Sequence, residues 1–276
     1  MKYLTSAICA FLLGTCLRAA SVDTVSIYSA AMKKEFRCVV IKPDTYESGT
    51  GKKYPVVYLL HGYGGWYANF ITRYPGIVDF ADTYQFIIVC PDGKDSWYFD
   101  SPVDPSMKFE TYVGEEIPAW IDNHYLTFKS RNGRAITGNS MGGHGALFIG
   151  FRHAGTFGAC GSMSGGVYLR PFPKNWQLSK RLGDTIRHAE NWEKYSVINV
   201  IEKNPADSLS IIIDCGNKDF FFDVNNALHA KMEKLGIPHD FIVRPGQHDW
   251  PYWINSIQYQ FLFFHNYFEK AGAGQQ

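Results

Sequence analysis

Gly138-Asn139-Ser140-Met141-Gly142-Gly143 stands between an apolar, β-like run, Arg134 to Thr137, and a helix-like run, His144 to Phe151. Strand, sharp turn and helix are the context in which G-x-S-x-G forms a nucleophile elbow. The turn forces Ser140 into a strained backbone conformation, on the order of 1–3 kcal/mol. Glycine at 138 and 142 lets strand and helix pass close together without a Cβ collision. The strain lifts the Ser140 hydroxyl out of the backbone, and the Met141 N–H, at a helix N-terminus, points to where an oxyanion would form.

Outward from the elbow, the same alternation recurs. Val56 to Leu60 is a continuous apolar run, as in a strand covered on both faces. It ends in His61-Gly62-Tyr63-Gly64-Gly65, a glycine-rich turn at a strand's carboxyl end, where an open α/β sheet makes its ligand site. A helical stretch (Ile77 to Thr83), a strand (Phe86 to Cys90), the loop Pro91 to Ser106 and a helically spaced segment (Glu110 to His124) lead back to the elbow. After it come strands at Gly158 to Ser164, Ser210 to Asp214 and Phe241 to Val243. A helix through Phe222 to Leu235 stops at Gly236-Ile237-Pro238, and a last helix covers Ile254 to Lys270. Strands alternating with helices predict an α/β fold, a mostly parallel central sheet flanked by helices. Two β-like segments at the start, Thr24 to Tyr28 and Phe36 to Ile41, predict an antiparallel hairpin. Gly165 to Lys194 has no strand pattern and reads as an excursion over the carboxyl edge, part of the substrate wall. Residues 21–276 thus read as a single domain.

The 276 residues are 46% hydrophobic and 19% charged, which suits a large α/β core and not a disordered chain. A formal net charge of +1 with no run of Lys/Arg excludes an electrostatic footprint for nucleic acid or anionic membrane. Substrates are expected to be uncharged or weakly charged. Aromatics gather at Trp66-Tyr67, Trp97-Tyr98-Phe99 and Trp250 to Trp253, in segments read as loops, and suggest ring-stacking ligands. Lys2, the apolar run Ile8 to Leu13 and small residues at Ala19-Ala20 read as a secretory signal over residues 1–20, too short to span a membrane. Leu13-Gly14-Thr15-Cys16 loosely resembles a bacterial lipoprotein box, so a lipid anchor at Cys16 is an alternative, and the expected location is periplasmic, secreted or outer-membrane. Cys38, Cys90, Cys160 and Cys215 lie in apolar strand-like runs, where free Cys behaves as a small buried hydrophobe; their spacing matches neither a disulfide scaffold nor a zinc site.

A serine nucleophile needs a base within hydrogen-bond reach and a carboxylate to orient that base. On this kind of sheet they follow the serine on loops after later strands. Of nine histidines only His229, His239, His248 and His265 come late enough; His229 and His265 fall in helices and His239 precedes a strand. His248, in Pro245-Gly246-Gln247-His248-Asp249-Trp250 directly after a strand, is the expected base. Among the acids, Asp249 is too close in sequence to turn onto its neighbour's Nδ1, and Asp214 reads as a structural carboxylate bonding loop amides. Asp219 is the expected acid. The Tyr63 N–H is the expected second oxyanion donor beside Met141. His61 is expected near the substrate or bracing its turn, and His144 in a packing role. Trp97, Tyr98, Asp100 and Trp250 are expected at the substrate site. There is no H-E-x-x-H, G-x-G-x-x-G or P-loop, so no metal, nucleotide or other cofactor is implied.

Leu60 to Gly65, Ser96-Trp97-Tyr98-Phe99-Asp100-Ser101, Tyr112 to Pro118, Gly138 to His144, Asp214 to Asp219 and His248-Asp249-Trp250-Pro251-Tyr252-Trp253 together resemble an esterase of the α/β-hydrolase fold. The resembling group includes esterase D (S-formylglutathione hydrolase), tributyrin esterases and the feruloyl and acetylxylan esterases of carbohydrate esterase family 1. The resemblance implies Ser140 as nucleophile, Asp219 as acid and His248 as base. The signal-like leader departs from the cytosolic S-formylglutathione hydrolases and favours esterases acting on acylated plant cell-wall polysaccharide or oligosaccharide. The alternatives are a generalist short-chain carboxylesterase acting on small esters, and a non-hydrolytic carbohydrate-binding or acyltransferase relative.

Overall fold

The computed structural model describes residues 19–47, 51–203 and 209–274. The signal-like segment up to residue 18, with Cys16, lies outside the described residues. Among the described residues eight strands form one sheet: β1 (Ser21–Ser29), β2 (Lys34–Lys42), β3 (Val56–Leu60), β4 (Ile87–Pro91), β5 (Arg134–Gly138), β6 (Ala159–Met163), β7 (Ser210–Gly216) and β8 (Asp240–Arg244). Their spatial order is β1-β2-β4-β3-β5-β6-β7-β8. β1 and β2 form the expected antiparallel hairpin, from Ser21 opposite Lys42 to Ser29 opposite Lys34. β2 is also antiparallel to β4, and all later pairs are parallel. From β3 the chain moves to one side to make β4 and returns to the other to make β5. That reversal opens a crevice beyond the carboxyl ends of β3 and β5.

The helices are α1 (Asn69–Arg73), α2 (Val78–Tyr84), α3 (Phe109–Thr111), α4 (Ile117–His124), α5 (Met141–Arg152), α6 (Leu178–Leu182), α7 (Ala189–Lys194), α8 (Val197–Val200), α9 (Phe222–Leu235) and α10 (Trp250–Lys270). A π-helical turn, Tyr112–Glu116, joins α3 to α4. The apolar strand β3 is buried at every position because it feeds two cores. Val56, Tyr58 and Leu60 join Ile136 and Phe148 on one face, whereas Val57 and Leu59 join Phe261 and Phe264 on the other. On α10 the buried residues Trp253, Ile257, Phe261, Phe264 and Phe268 recur at intervals of three or four and make the stripe that seals this second face. Each such large side chain contributes about 1.5–3 kcal/mol by leaving water.

α10 begins at Trp250, four residues before the sequence reading placed it. The Asp249 carboxylate accepts the Tyr252 N–H and Pro251 occupies the first turn, a start signal that moves Trp250 to Trp253 from a loop onto a helix. The four cysteines are free and buried, as expected, and burial pushes their thiols up, that of Cys90 to about 12. Thiols so placed are inert. Among the described residues no helix is long and apolar enough to cross a membrane.

Candidate active site

Ser140 lies between β5 and α5 with φ 56° and ψ −118°, a region rarely adopted by an L-residue. Its conformation is held from several sides: the Ser140 N–H donates to the Met163 carbonyl at 2.9 Å, and its carbonyl accepts the His144 N–H at 3.0 Å. Both elbow glycines face one obstacle. A Cβ on Gly138 would lie 2.4 Å from the Leu60 carbonyl oxygen, and a Cβ on Gly142 only 2.2 Å from it. The end of β3, more than the elbow helix itself, requires glycine on both sides of the serine.

The structure brings Ser140, His248 and Asp219 together, although they are far apart in sequence. His248 Nε2 lies 2.8 Å from Ser140 Oγ, and its Nδ1 lies 2.8 and 3.0 Å from the two Asp219 oxygens. The buried Asp219 carboxylate also accepts the Phe221 N–H at 2.8 Å, which fixes its plane. A carboxylate at Nδ1 holds the proton there and leaves the Nε2 lone pair facing the serine hydroxyl. The imidazole is held between rings: Phe220 at 4.1 Å, Trp253 edge-on at 4.9 Å and Phe221 at 5.3 Å between centroids.

Met141 is the first residue of α5, and Tyr63 follows β3. Among the described residues no intrachain acceptor takes either N–H, so both are available to an oxyanion. The turn bearing Tyr63 is anchored by the Gly64 N–H donating to Asp95 at 2.7 Å and by His61. His61 is buried, its Nε2 accepts the Gly93 N–H at 2.9 Å, and its Nδ1 donates to the Gly62 carbonyl at 2.8 Å. With both ring nitrogens engaged, His61 braces the turn and does not bind substrate, which corrects one of its two expected roles.

The cleft at Ser140 has a volume of about 290 Å³ and is lined by the rings of Trp176, Phe220, His248, Trp250 and Trp253 together with Gly62, Tyr63, Asn69 and Asn139. Trp250 is therefore at the site, as expected. Trp97 and Tyr98 are not. They are 1% and 0% exposed, beneath the elbow. Both have positive φ, 59° and 61°, and this double left-handed turn drives the loop inward. The Trp97 indole donates to the Trp176 carbonyl at 3.2 Å, and the Tyr98 hydroxyl donates to the His61 carbonyl at 3.0 Å, so they support the wall and the turn from below. Asp100 is also displaced from its expected place: its carboxylate accepts the Thr111 N–H and hydroxyl at 3.0 and 2.7 Å, and it borders a separate polar depression with Glu110 and His153. Phe220, which sequence reasoning missed, directly follows Asp219 in sequence, and that adjacency was its available signal. Trp176 comes from the excursion expected to wall the site. A larger groove of about 920 Å³ lies elsewhere, beside Arg152, Glu193 and Lys194, and has no nucleophile-base pair.

Two buried groups support the site from outside. Asp214 bonds side chains, not the loop amides expected of it: the Tyr252 and Ser256 hydroxyls donate to it, and Arg244 Nη2 lies 2.7 Å away. It thereby ties β7 to β8 and to the first turns of α10, on either side of the His248 loop. His144 is fully buried against Trp97, Phe99 and Phe148, with Nδ1 donating to the Gly166 carbonyl at 3.0 Å. Burial pushes its pKa down from 6.5 to about 3, against the smaller opposing effect of the Gly166 bond. Because the folded value lies below the unfolded one, the unfolded chain binds this proton first. Stability contributed by the neutral ring is present above pH 6.5 and is lost as pH falls from there toward 3. In denaturant melts between pH 6 and 4, wild type is expected to lose stability faster than His144→Gln, by up to about 1.4 kcal/mol per pH unit. Equal slopes would contradict a neutral buried His144.

A family model described as "Esterase: Putative esterase" matches residues 29–264. Esterase Rv1288 of Mycobacterium tuberculosis is 30% identical over 239 residues, covering 76% of this chain and 51% of that protein. The chain thus spans about half the length of this mycobacterial relative. An acetyl esterase of Caldicellulosiruptor saccharolyticus is 24% identical over 255 residues, 86% of this chain and 95% of the relative. A solved ferulic acid esterase superposes with a TM-score of 0.79 at 29% identity, over 91% of this chain and 99% of its own. The eight-stranded sheet with its antiparallel start is the α/β-hydrolase fold.

Proposed function

The chain belongs to the Esterase family, and from that premise we propose that it is an exported serine hydrolase that removes feruloyl or acetyl groups from plant cell-wall polysaccharide through an acyl-enzyme. The observation that carries the hydrolase reading is the unbroken relay from Asp219 through His248 to Ser140, each link 2.8 Å long, at the foot of an open cleft. Ser140 Oγ attacks the acyl carbonyl while His248 Nε2 takes its proton. The resulting oxyanion lies against the Met141 and Tyr63 N–H groups. As the bond from the acyl carbon to the sugar oxygen breaks, His248 gives its proton to that oxygen, which leaves as a hydroxyl, and water repeats the sequence to free the acid and restore the serine.

The substrate reading rests on the cleft and on charge. At about 290 Å³ the cleft is at the small end of ligand sites, which span roughly 300–1,000 Å³, so it accepts a compact acyl group in preference to a long chain. Trp176, Phe220, Trp250 and Trp253 offer ring faces worth ~1 kcal/mol each to a phenolic acyl or a sugar. A net charge of +1 suits a neutral glycan better than a polyanion. Export is supported by the signal-like sequence at residues 1–20.

The test is a panel of kcat/KM values on methyl ferulate, p-nitrophenyl acetate, p-nitrophenyl butyrate, acetylated xylan and S-formylglutathione. Methyl ferulate or acetylated xylan is expected to lead. If the butyrate or the thioester leads by more than about tenfold, ~1.4 kcal/mol in transition-state binding, the generalist carboxylesterase reading replaces this one. No turnover on any of the five would favour the non-hydrolytic relative.

A further inference from the structure

At the amino-terminal edge of the sheet, where β8 begins, His229, Glu233 and His239 bring one ligand atom each within 4.8 Å of one another. We propose that these three residues bind a first-row divalent transition-metal ion, Zn²⁺ being the best match. His229 and Glu233 are four apart on α9 and so share one face of that helix. His239 follows the Gly236 turn and directly precedes β8. The turn is fixed: Gly236 is left-handed, and its N–H and that of Ile237 close onto the Glu233 and Met232 carbonyls at 3.1 and 3.0 Å.

The tautomers also suit a metal. His239 Nδ1 lies 2.8 Å from the Ile237 carbonyl, an acceptor only, so that nitrogen carries the hydrogen and Nε2 presents a lone pair. A backbone carbonyl behind a ligating imidazole is the usual outer support of a metal site. His239 Nε2 in turn lies 2.8 Å from His229 Nδ1, which donates to it. On metal binding the His229 hydrogen moves to its Nε2, Nδ1 turns its lone pair inward, and the ion replaces the shared hydrogen with no net proton lost from the pair. Zn–N bonds of about 2.1 Å in a tetrahedron set the two nitrogens about 3.4 Å apart, so the rings must part by roughly half an ångström and tilt until their lone pairs converge on the ion. Phe241, stacked on His229 at 4.4 Å and 13°, keeps that ring in plane. Two imidazoles and one carboxylate select zinc and its neighbours over Mg²⁺ and Ca²⁺, which prefer all-oxygen sets. Three protein ligands leave a fourth position for water. The bound ion would pin the end of α9 to β8, the edge strand that leads to His248 and pairs with β7 alone.

Isothermal titration of the metal-free chain with ZnCl₂ is expected to show one ion per chain and a melting temperature raised by ~5 °C at roughly hundred-fold excess over Kd. His229→Ala and His239→Ala are each expected to weaken binding at least ~100-fold, while His248→Ala leaves it unchanged. Co²⁺ in place of zinc should give visible d–d bands, and Mg²⁺ no heat. Turnover of p-nitrophenyl acetate by His239→Ala in metal-free buffer is expected to equal that of wild type, so the result stands apart from the hydrolase reading. Wild-type chain that fails to bind Zn²⁺ at about a hundred micromolar overturns the proposal. So does wild-type affinity in both histidine variants.

Discussion

Ser140→Ala is expected to lower kcat for p-nitrophenyl acetate by on the order of 10⁴ to 10⁶. The size of the loss follows from the geometry. Ser140 Oγ is the atom His248 Nε2 faces at 2.8 Å, and the alanine variant leaves the base, acid and oxyanion donors aimed at a position with no nucleophile. Because nucleophile and base work as a unit, His248→Ala is expected to be similarly severe, and the double variant little worse than either single one. Binding of methyl ferulate should survive in Ser140→Ala, since the rings lining the cleft are untouched. Steady-state kinetics on purified, folded variants makes the check, and a serine variant keeping a tenth of wild-type turnover would remove Ser140 from its assigned role.

The other large effect is structural. Gly142→Val is expected to prevent folding altogether, not to yield a folded, inactive chain. Its first added carbon would lie 2.2 Å from the Leu60 oxygen, 2.6 Å from the Leu60 carbonyl carbon and 2.7 Å from the His61 oxygen. All three are backbone atoms at the end of a central strand hydrogen-bonded on both sides, to β4 and to β5, so none can yield cheaply. Gly155→Ala is the matched control, because nothing lies within 4 Å of a carbon added there. Circular dichroism melts decide it: the control should unfold near the wild-type temperature, and a soluble, cooperatively melting Gly142→Val would contradict the clash.

The parts of this molecule that were readable from sequence share a cause. Val56 to Leu60 and Arg134 to Thr137 are buried on both faces, so tertiary packing and local pattern demand the same residues. The coming together of Ser140, Asp219 and His248 was readable because all three lie in loops just after strand ends, where position in the alternation stands in for position in space. The misplacements share a cause as well. Whether an aromatic loop points out to a ligand or in to the core depends on backbone turns that no periodicity records, and Trp97 and Tyr98 turn inward on two left-handed residues. Asp100 looked like a site residue because it stands in the same motif, yet its partner is Thr111, the C-terminal residue of the short helix that follows. The start of α10 was missed although its signal was present, Asp249 as cap and Pro251 in the first turn. The excursion after β6 stayed opaque because its helices, α6 and α7, are five and six residues long, too short for a period to show.

The rim of the cleft is divided between two kinds of support. Trp250 and Trp253 ride on the first turn of α10, the same rigid unit that follows His248, whereas Trp176 comes from a partly exposed stretch of the excursion, residues 171–177, that contributes no strand to the sheet. The molecule is therefore modular in the sense that matters for divergence. Descendants that change residues 171–177 can acquire a different acyl preference provided they keep side chains packed on Phe220 and Phe221, the rings that Phe172 and Trp176 touch and that flank His248, and a protein engineer grafting this segment meets the same condition. Changes at Trp250 or Trp253 have no such freedom, because there selectivity and competence rest on one helix and drift together.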